Sequence, residues 1–287
     1  MRFLYCGDVV ARSGREVVYK NLACLKDEYK LDIIIVNVEN AAHGFGVTSG
    51  IAREFLEKGA DILVTGNHFL SQKDIAKFLD ECKVIIRPAN IPSFNVGRGF
   101  CEFELADGRK IVVIQVLGRL YMEAVDCPVQ TIDNILKNYN MGKNCSAILV
   151  DIHAEATSEK LSLGYYLDGR VSCVAGTHTH VPTADARVLP QKTAYITDVG
   201  MCGDYNSVLG FEPKAPINRL RRHYSDDRLT PAKGNGTLFG IIVETDDSTG
   251  LAKSITHIRC DLPSFFIMPC LNLFLPNTSL SSSGLQL

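Results

Sequence analysis

Apolar runs alternate with stretches of helical period along the first third of the chain. The pattern predicts strands at about 2–6, 32–38, 61–65 and 83–86, and amphipathic helices between them at about 14–29, 48–58 and 72–80. Such alternation is typical of βαβ units in a mainly parallel sheet. The first part of the chain is therefore predicted to be doubly wound.

The rest of the chain is richer in strand-forming residues. Strands are predicted at about 100–105, 110–117, 146–151, 170–175, 193–197, 237–245 and 252–259, with a helix near 131–140. Asp107-Gly108 and the segment 246–250 have the composition of hairpin turns. Two sheets packed face to face and flanked by helices accommodate this number of strands, so the predicted fold class is α/β with two mixed β-sheets.

The domain organisation is predicted from changes in amino-acid composition along the chain. No linker rich in Pro, Gly or Ser divides the chain of 287 residues, which predicts one domain over residues 1–260. The segment 261–287 contains three prolines and a Ser-rich end and follows neither a helical nor a strand period. It is predicted to be a peripheral or disordered C-terminal tail without chemistry of its own.

Composition limits the kinds of binding partner and the cellular compartment that the sequence is consistent with. A net charge of −2 and a pI near 6.4 provide no general attraction for nucleic acid or acidic membranes, which favours a small substrate. The ten cysteines are scattered without a CxxC pair, as is typical of reduced thiols. The chain runs from Met1 directly into a strand, and no apolar run reaches the ~20 residues that span a bilayer. A cytoplasmic protein with no membrane partner is predicted.

Side chains of the kinds that bind metals follow five of the predicted strands. They are Asp8, Glu39 with Asn40, Asn67 with His68, His153, and His178 with His180. A lone histidine after a strand is ordinarily a surface or capping residue, and a lone aspartate an N-cap. Five such strand ends together favour a metal centre, because ligands for paired metals come from several strand ends.

The spacing of two histidines strengthens this interpretation. His178 and His180 are two residues apart, so on an extended segment their side chains point the same way. Gly176 is predicted to let the backbone turn where the strand runs out.

The chemistry of the donors indicates divalent ions and phosphoester hydrolysis. Carboxylate, amide oxygen and imidazole suit manganese, iron, zinc or magnesium. Seven donors (Asp8, Glu39, Asn40, Asn67, His153, His178 and His180) are too many for one tetrahedral ion and suit two ions that share a carboxylate. Paired ions activate water and clamp the oxygens of a phosphoryl group. His68, beside Asn67, is predicted to be the general acid, with a metal ligand or a helix cap as its alternative roles.

Longer motifs around these residues resemble a known family. Gly66-Asn67-His68 and Gly176-Thr-His178-Thr-His180 resemble signatures of the calcineurin-like metallophosphoesterases. Over about residues 1–260, further segments are similar to the bacterial YmdB-like branch of 2′,3′-cyclic-nucleotide 2′-phosphodiesterases: 7–10, 38–42, 87–90, 150–160, 176–181 and 196–201. The resemblance implies a four-layer αββα sandwich and hydrolysis of 2′,3′-cyclic nucleotides to 3′-nucleotides by attack of a metal-bridged hydroxide.

The resemblance also assigns roles to individual residues. It implies that Asp8, Asn40 and His180 hold one ion, that Asn67, His153 and His178 hold the other, that Glu39 bridges them, and that His68 donates the proton. Two divalent ions per chain are implied, with iron or manganese favoured and magnesium or zinc also compatible. Relatives also imply a homo-oligomer.

Two departures from the family pattern stand out. Val10 occupies a position where most calcineurin-like enzymes have a metal-binding histidine, a change that the YmdB-like branch shares. The segment Phe69-Leu-Ser-Gln follows His68, where the branch has an aromatic and an acidic residue. The second departure leaves the pocket shape near the leaving group open and does not affect the predicted metal ligands.

Several other polar residues are open to two interpretations. Arg12 and Arg15, at a predicted helix start, either meet a phosphate or belong to a solvated helix end. Glu155 either orients a ligand imidazole or is an ordinary surface residue. His43 is predicted near the pocket mouth. His223 and His257 have no evident partner and are predicted to be surface residues.

Two alternatives to the phosphodiesterase remain from the sequence. A metal-dependent phosphomonoesterase would use the same donors. A regulatory scaffold would use the metal pocket to sense a nucleotide or to dock an RNA-processing partner protein. Turnover separates an enzyme from a scaffold, and turnover of a monoester alone would indicate the phosphomonoesterase.

Overall fold

The computed structural model describes residues 1–92, 94–222 and 226–261, together with the backbone of 265–267. Most of the predicted tail lies outside these residues, so its separation from the domain stays a prediction.

The described strands include long members of two sheets and several two-residue pairings. They are β1 (Arg2–Cys6), β2 (Asp8–Val9), β3 (Ile33–Asn37), β4 (Ile62–Val64), β5 (Ile85–Ile86), β6 (Phe100–Glu104), β7 (Lys110–Leu117), β8 (Ala147–His153), β9 (Cys173–Thr177), β10 (Arg187–Val188), β11 (Ala194–Ile196), β12 (Met201–Cys202), β13 (Thr237–Thr245), β14 (Ala252–Asp261) and β15 (Phe265–Ile267). The helices are α1 (Ala11–Tyr29), α2 (Ser49–Glu57), α3 (Ile75–Glu81), α4 (Pro128–Leu136), α5 (Thr157–Tyr166) and α6 (Lys214–Arg222).

These strands form two large mixed sheets. The first has the order β15-β14-β13-β1-β3-β4-β5, in which β1, β3, β4 and β5 are parallel and β13 runs antiparallel to β1. The second has the order β10-β11-β9-β8-β7-β6, with a parallel centre and an antiparallel strand at each edge. A small pairing of β2 with β12 lies beside them.

Alternate residues of the central strands explain how the layers pack. In β1, Phe3 and Tyr5 belong to a core shared with the second sheet, whereas Leu4 and Cys6 belong to a core shared with helices. Side chains alternate between the two faces of a strand, so a strand buried on both faces is apolar throughout. Val17 on α1 and Phe55 on α2 lie in the core on the helical side.

The outer face of the second sheet is covered in the same way. Ile132 on α4 and Leu163 on α5 pack with residues of that face, such as Val150 on β8. The order of layers is therefore helices, sheet, sheet, helices, which confirms the predicted four-layer αββα sandwich. The described cysteines are all free, and no helix in the described part of the chain has the length and apolarity needed to cross a membrane.

Candidate metal centre

The carboxyl ends of five strands bring the predicted metal ligands to one edge of the two sheets. From the first sheet, Asp8 follows β1, Glu39 and Asn40 follow β3, and Asn67 follows β4; from the second sheet, His153 ends β8, and His178 and His180 follow β9. Parallel strands of both sheets end in the same direction here, so short loops from separate parts of the chain converge at one place.

The convergence of His178 and His180 has a different cause from the one predicted. Strand β9 ends at Thr177, and the two histidines have φ angles of +93° and +62°, so the extended segment predicted for them is wrong. Gly176 lies within β9 instead of at its turn. A Cβ on it would come within 1.8 Å of the carbonyl oxygen of Thr197, so glycine permits a close backbone approach.

The seven donors fall into two sets that share Glu39. Ligand atoms of Asp8, Glu39 and His180 lie within 4.8 Å of one another, and so do those of Glu39, His153 and His178. Asn40 joins the first set, because its Oδ1 is 3.2 Å from Nε2 of His180.

Asn67 joins the second set. Its Oδ1 is 3.0 Å from Nε2 of His153, and its backbone N–H donates to Oε1 of Glu39 over 3.0 Å. The grouping is the one that the family resemblance implied.

The tautomer of His153 shows why this set suits a cation. The Thr177 hydroxyl donates to Asp151 over 2.7 Å, so it can only accept at 2.9 Å from Nδ1 of His153. Burial raises the pKa of Asp151 to about 6, and the charge of His153 and the hydrogen bonds from Gln115 and Thr177 oppose that shift. The proton of His153 is therefore on Nδ1, and Nε2 presents a lone pair.

That lone pair faces other acceptors. Nε2 of His153 lies 2.9 Å from Oε1 of Glu39 and 3.2 Å from Nδ1 of His178. Two acceptors do not approach so closely unless a proton or a metal ion lies between them. Nitrogen and oxygen donors in this mixture fit a divalent ion.

The remaining imidazoles are oriented by contacts on their outer nitrogens. Nδ1 of His180 lies 3.1 Å from the carbonyl oxygen of Leu209, which accepts its proton and leaves Nε2 free for the centre. Nε2 of His178 lies 3.4 Å from a carboxylate oxygen of Glu155, so its Nδ1 faces inward. Such contacts fix the ring and the tautomer of a ligand histidine.

Burial shifts the pKa values of the ligands in a consistent direction. It raises the pKa of Asp8 to about 7, against the opposing effect of His180 and His153, and it raises the pKa of Glu39. It lowers the pKa of His153, and it lowers that of His178 far below its usual range. The pocket therefore disfavours protonated imidazole and isolated carboxylate alike, and a cation would stabilise both ligand types in their binding forms.

His68 lies beside the two sets and belongs to neither. It ends a single 3₁₀ turn, Gly66–His68; Gly66 has a φ of +57°, and a Cβ there would overlap the side chain of Glu39, so both facts favour glycine. Nδ1 of His68 is 3.2 Å from the hydroxyl of Ser71. Burial lowers the pKa of His68, and the Glu39 carboxylate opposes that shift. Ser71, in the segment that departs from the family pattern, thus positions this ring.

A cavity of about 400 Å³ opens over the ligands. Glu39, Asn40, His68, His178 and His180 line it on the metal side, and its walls are Phe45, Val208, Leu209, Phe211, Pro216, Arg219 and Leu229. The rings of Phe45 and Phe211 lie 5.5 Å apart, and Phe45 meets His68 edge to face at 5.2 Å. An apolar wall opposite a polar base is typical of a small-molecule site.

A buried ion pair supports the loop that carries two of the ligands. Nζ of Lys160 lies 2.8 Å from a carboxylate oxygen of Asp198, and both side chains are at most 1% exposed. The same carboxylate accepts from the backbone N–H and the hydroxyl of Thr179, between His178 and His180. The motifs 150–160 and 196–201 therefore meet beneath this loop.

The supporting network beneath His153 was not predicted from the sequence. Gln115 on β7 donates to Asp151 over 2.6 Å and accepts from the backbone N–H of Gly66 over 2.9 Å. The signal was present, since Gln115 interrupts the apolar run 110–117, and a fully buried amide needs partners.

Other predicted residues lie elsewhere. Arg12, Arg15 and His43 line a separate cavity at the start of α1. The surface position predicted for His257 is wrong: it is 3% exposed, and its Nε2 donates to the carbonyl of Val199 over 2.9 Å. His223 lies outside the described residues.

Comparison with known proteins gives the family. Residues 4–258 match the model of the YmdB-like proteins. The chain belongs to the YmdB-like family. It is 43% identical over 258 residues to the 2′,3′-cyclic-nucleotide 2′-phosphodiesterase of Bacillus subtilis (strain 168), with 90% of this chain and 96% of the relative covered.

Two solved structures of similar sequence share the fold. A hypothetical protein from Thermus thermophilus is 37% identical with a TM-score of 0.84, covering 91% of this chain and 99% of its own. A novel phosphatase from Mycoplasma pneumoniae is 34% identical with a TM-score of 0.83, covering 91% of this chain and 93% of its own. The likeness to these two structures therefore extends over nearly the whole of each chain.

Proposed function

We propose that this YmdB-like protein is a metal-dependent phosphodiesterase that hydrolyses 2′,3′-cyclic nucleotides to 3′-nucleotides. The observation that carries the proposal is the division of seven buried or half-buried donors into two sets that share Glu39. The name of the Bacillus relative supports the choice of a cyclic nucleotide over other phosphodiesters.

The residues named above would hold two divalent ions, iron or manganese by preference. Asp8, Asn40 and His180 would hold one ion, Asn67, His153 and His178 the other, and Glu39 both. Two such ions supply an activated water at neutral pH and electrostatic stabilisation of the phosphoryl oxygens. This chemistry requires ligands with a fixed orientation. The contacts of His153 with Thr177 and of His180 with Leu209 hold the two imidazole rings in place.

His68 would protonate the leaving group. Hydrolysis of a 2′,3′-cyclic phosphate to a 3′-nucleotide breaks the bond from phosphorus to the ribose 2′-oxygen, which departs as an alkoxide unless it receives a proton. The ring of His68 lines the same cavity as Glu39 and His178. Its Nδ1 is held by Ser71, which leaves Nε2 to donate to the departing oxygen.

The wall of the cavity suits a nucleoside. Phe45 and Phe211 offer aromatic surface for a base, and Leu229 and Pro216 extend the apolar wall. Arg219 is the cation among the residues that line this cavity. A volume of about 400 Å³ is in the range for a mononucleotide-sized ligand.

The decisive experiment is hydrolysis of 2′,3′-cyclic AMP, bis-p-nitrophenyl phosphate and p-nitrophenyl phosphate by metal-stripped protein before and after Mn²⁺ is added back. The wild type, Glu39→Gln and Glu57→Gln are compared, because Glu57 is an exposed residue of α2 and serves as the matched control. Bound metal per chain is measured in parallel. We expect the two diesters to turn over only with metal, and Glu39→Gln to lose both turnover and metal while Glu57→Gln keeps both.

Three results would change the assignment. Turnover of the monoester alone would keep the metal centre and make the protein a phosphomonoesterase. Binding of two ions with no turnover would favour a sensing scaffold. Full activity of Glu39→Gln would contradict a shared carboxylate.

A further inference from the structure

A second cavity lies at the start of α1. Its volume is about 650 Å³, and Arg12, Ser13, Arg15, His43 and Lys233 are among the residues that line it. It shares no lining residue with the cavity over the metal ligands. The proposed reaction makes no use of it.

The helix start leaves backbone donors free. The N–H of Ala11 donates to the carbonyl of Asn40 over 2.9 Å, and that of Gly14 donates to the carbonyl of Val10 over 3.1 Å. Within the described residues, the N–H groups of Arg12 and Ser13 have no acceptor. The 19-residue helix has no side-chain cap and no acidic residue in its first turn. Its positive dipole end is therefore uncompensated.

A largely buried serine with an unpaired hydroxyl gives independent evidence for a ligand. Ser13 is only 8% exposed and lines the cavity. No group in the described part of the chain forms a hydrogen bond with its Oγ, and this atom stays accessible to the cavity. The hydroxyl and the two free N–H groups belong to consecutive residues of one turn, so they can serve one acceptor group together.

The charges around the cavity are mainly positive, as the binding of an anion requires. Arg12, Arg15 and Lys233 carry three positive charges against the single carboxylate of Glu16. Arg12 pairs with Glu16 at 2.7 Å, but this pair is on the surface and is easily exchanged. Arg15 gives one N–H to the carbonyl of Ala41. Lys233 has no ion-pair partner among the described residues.

We propose that this cavity is a phosphate-binding site separate from the metal centre. Two backbone N–H groups, one hydroxyl and three cations provide more donors than a carboxylate can accept, and they match the oxygens of a phosphate or a phosphomonoester. The site adjoins the metal ligands through Asn40, whose carbonyl fixes Ala11 while its side chain faces His180.

Equilibrium dialysis with labelled inorganic phosphate tests the proposal on the full chain. His178→Ala serves as the background, because it weakens the metal centre and leaves the cavity at α1 intact. In that background, Arg12→Glu with Lys233→Glu is compared with Lys20→Glu, a charge reversal at an exposed residue further along α1. We expect the double reversal to weaken phosphate binding at least about tenfold, since it removes two charge-assisted contacts. Lys20→Glu should bind as the background does.

Ser13→Ala adds a test that leaves the charge unchanged. It should weaken phosphate binding severalfold with no change in melting temperature. Absence of phosphate binding in the His178→Ala background, or equal binding after the double reversal, would overturn the proposal.

Competition separates the two sources of the phosphate group. Displacement of labelled phosphate by 5′-AMP identifies a phosphomonoester ligand, whereas displacement by unlabelled phosphate alone identifies the free anion. Displacement by adenosine, which has no phosphate, would contradict the proposed site.

Discussion

The hydroxyl of Thr177 lies 2.9 Å from Nδ1 of His153 and is directed by Asp151 to accept the proton of that ring. This relationship connects strand β9 to strand β8 below the proposed metal centre. One hydroxyl hydrogen thus sets the tautomer of a ligand on the neighbouring strand.

Thr177→Val should weaken metal binding and turnover by about 10–100-fold, since a replaced outer contact typically costs that much at a ligand histidine. Valine has nearly the same shape and keeps the strand. Thr245→Val is the matched control, because Thr245 is also buried on a strand and its hydroxyl bonds to the carbonyl of Met1. Metal content and hydrolysis of 2′,3′-cyclic AMP are measured for both. Equal loss in the two variants would show a general effect of removing a buried hydroxyl.

His68→Ala should reduce hydrolysis of 2′,3′-cyclic AMP by about 10²–10⁴-fold, the usual contribution of a general acid. The loss should be much smaller for bis-p-nitrophenyl phosphate, because p-nitrophenolate departs without a proton. Metal content should not change. An equal loss on both substrates, or a negligible loss on both, would contradict the proton-donor role of His68.

Lys160→Met should lower the free energy of unfolding by about 3–5 kcal/mol, because it leaves the Asp198 carboxylate buried without its cation. Adding Asp198→Asn should restore part of this loss by removing the unpaired charge. Lys77→Met, which breaks an exposed pair with Glu81, should cost less than about 1 kcal/mol. Urea unfolding measures all three. A loss at Lys160 no larger than that at Lys77 would contradict the buried pair.

His257 should make the protein less stable in mild acid. Burial lowers its pKa, while its bond to Val199 and the charges of Asp198 and Asp185 act in the opposite direction. The unfolded chain therefore binds a proton more readily, so this contribution to stability is complete above the usual pKa of about 6.5 and is lost as the pH falls below it. The slope approaches at most ~1.4 kcal/mol per pH unit.

The comparison with His257→Gln isolates this group, because glutamine can still donate to Val199 but does not titrate. The free energy of unfolding should fall more between pH 7 and pH 5 in the wild type than in the variant. Parallel curves would show that His257 is protonated equally well in both states.

The long strands could be predicted because a strand that is buried on both faces consists almost entirely of apolar residues. Strands β1, β7, β8, β13 and β14 lie within two residues of their predicted bounds. Helix α6 was not predicted, since Lys214–Arg222 is mostly exposed and has little apolar face to show. The pairings of β2 with β12 and of β10 with β11 are only two residues long. They depend on tertiary contacts, which the local sequence pattern does not predict.

The convergence of the proposed ligands could be predicted, whereas the residues that support them could not. Asp8, Glu39 and the histidines follow apolar runs, which local sequence reveals. The partnership of Thr177 with His153 and of Lys160 with Asp198 joins segments 24 and 38 residues apart, and only the folded chain brings them together. Self-association, cytoplasmic location, an RNA-processing partner and the choice of iron or manganese stay predictions.

The backbone angles of His178 and His180 have a consequence for how this chain evolves. Both residues are in the left-handed region that favours glycine, at a cost of about 1–3 kcal/mol each for other side chains. Selection for folding alone would replace them with glycine. A lineage that keeps both histidines is therefore under selection for the function of their imidazoles. Without that selection, replacement of the histidines should give a more stable and inactive protein.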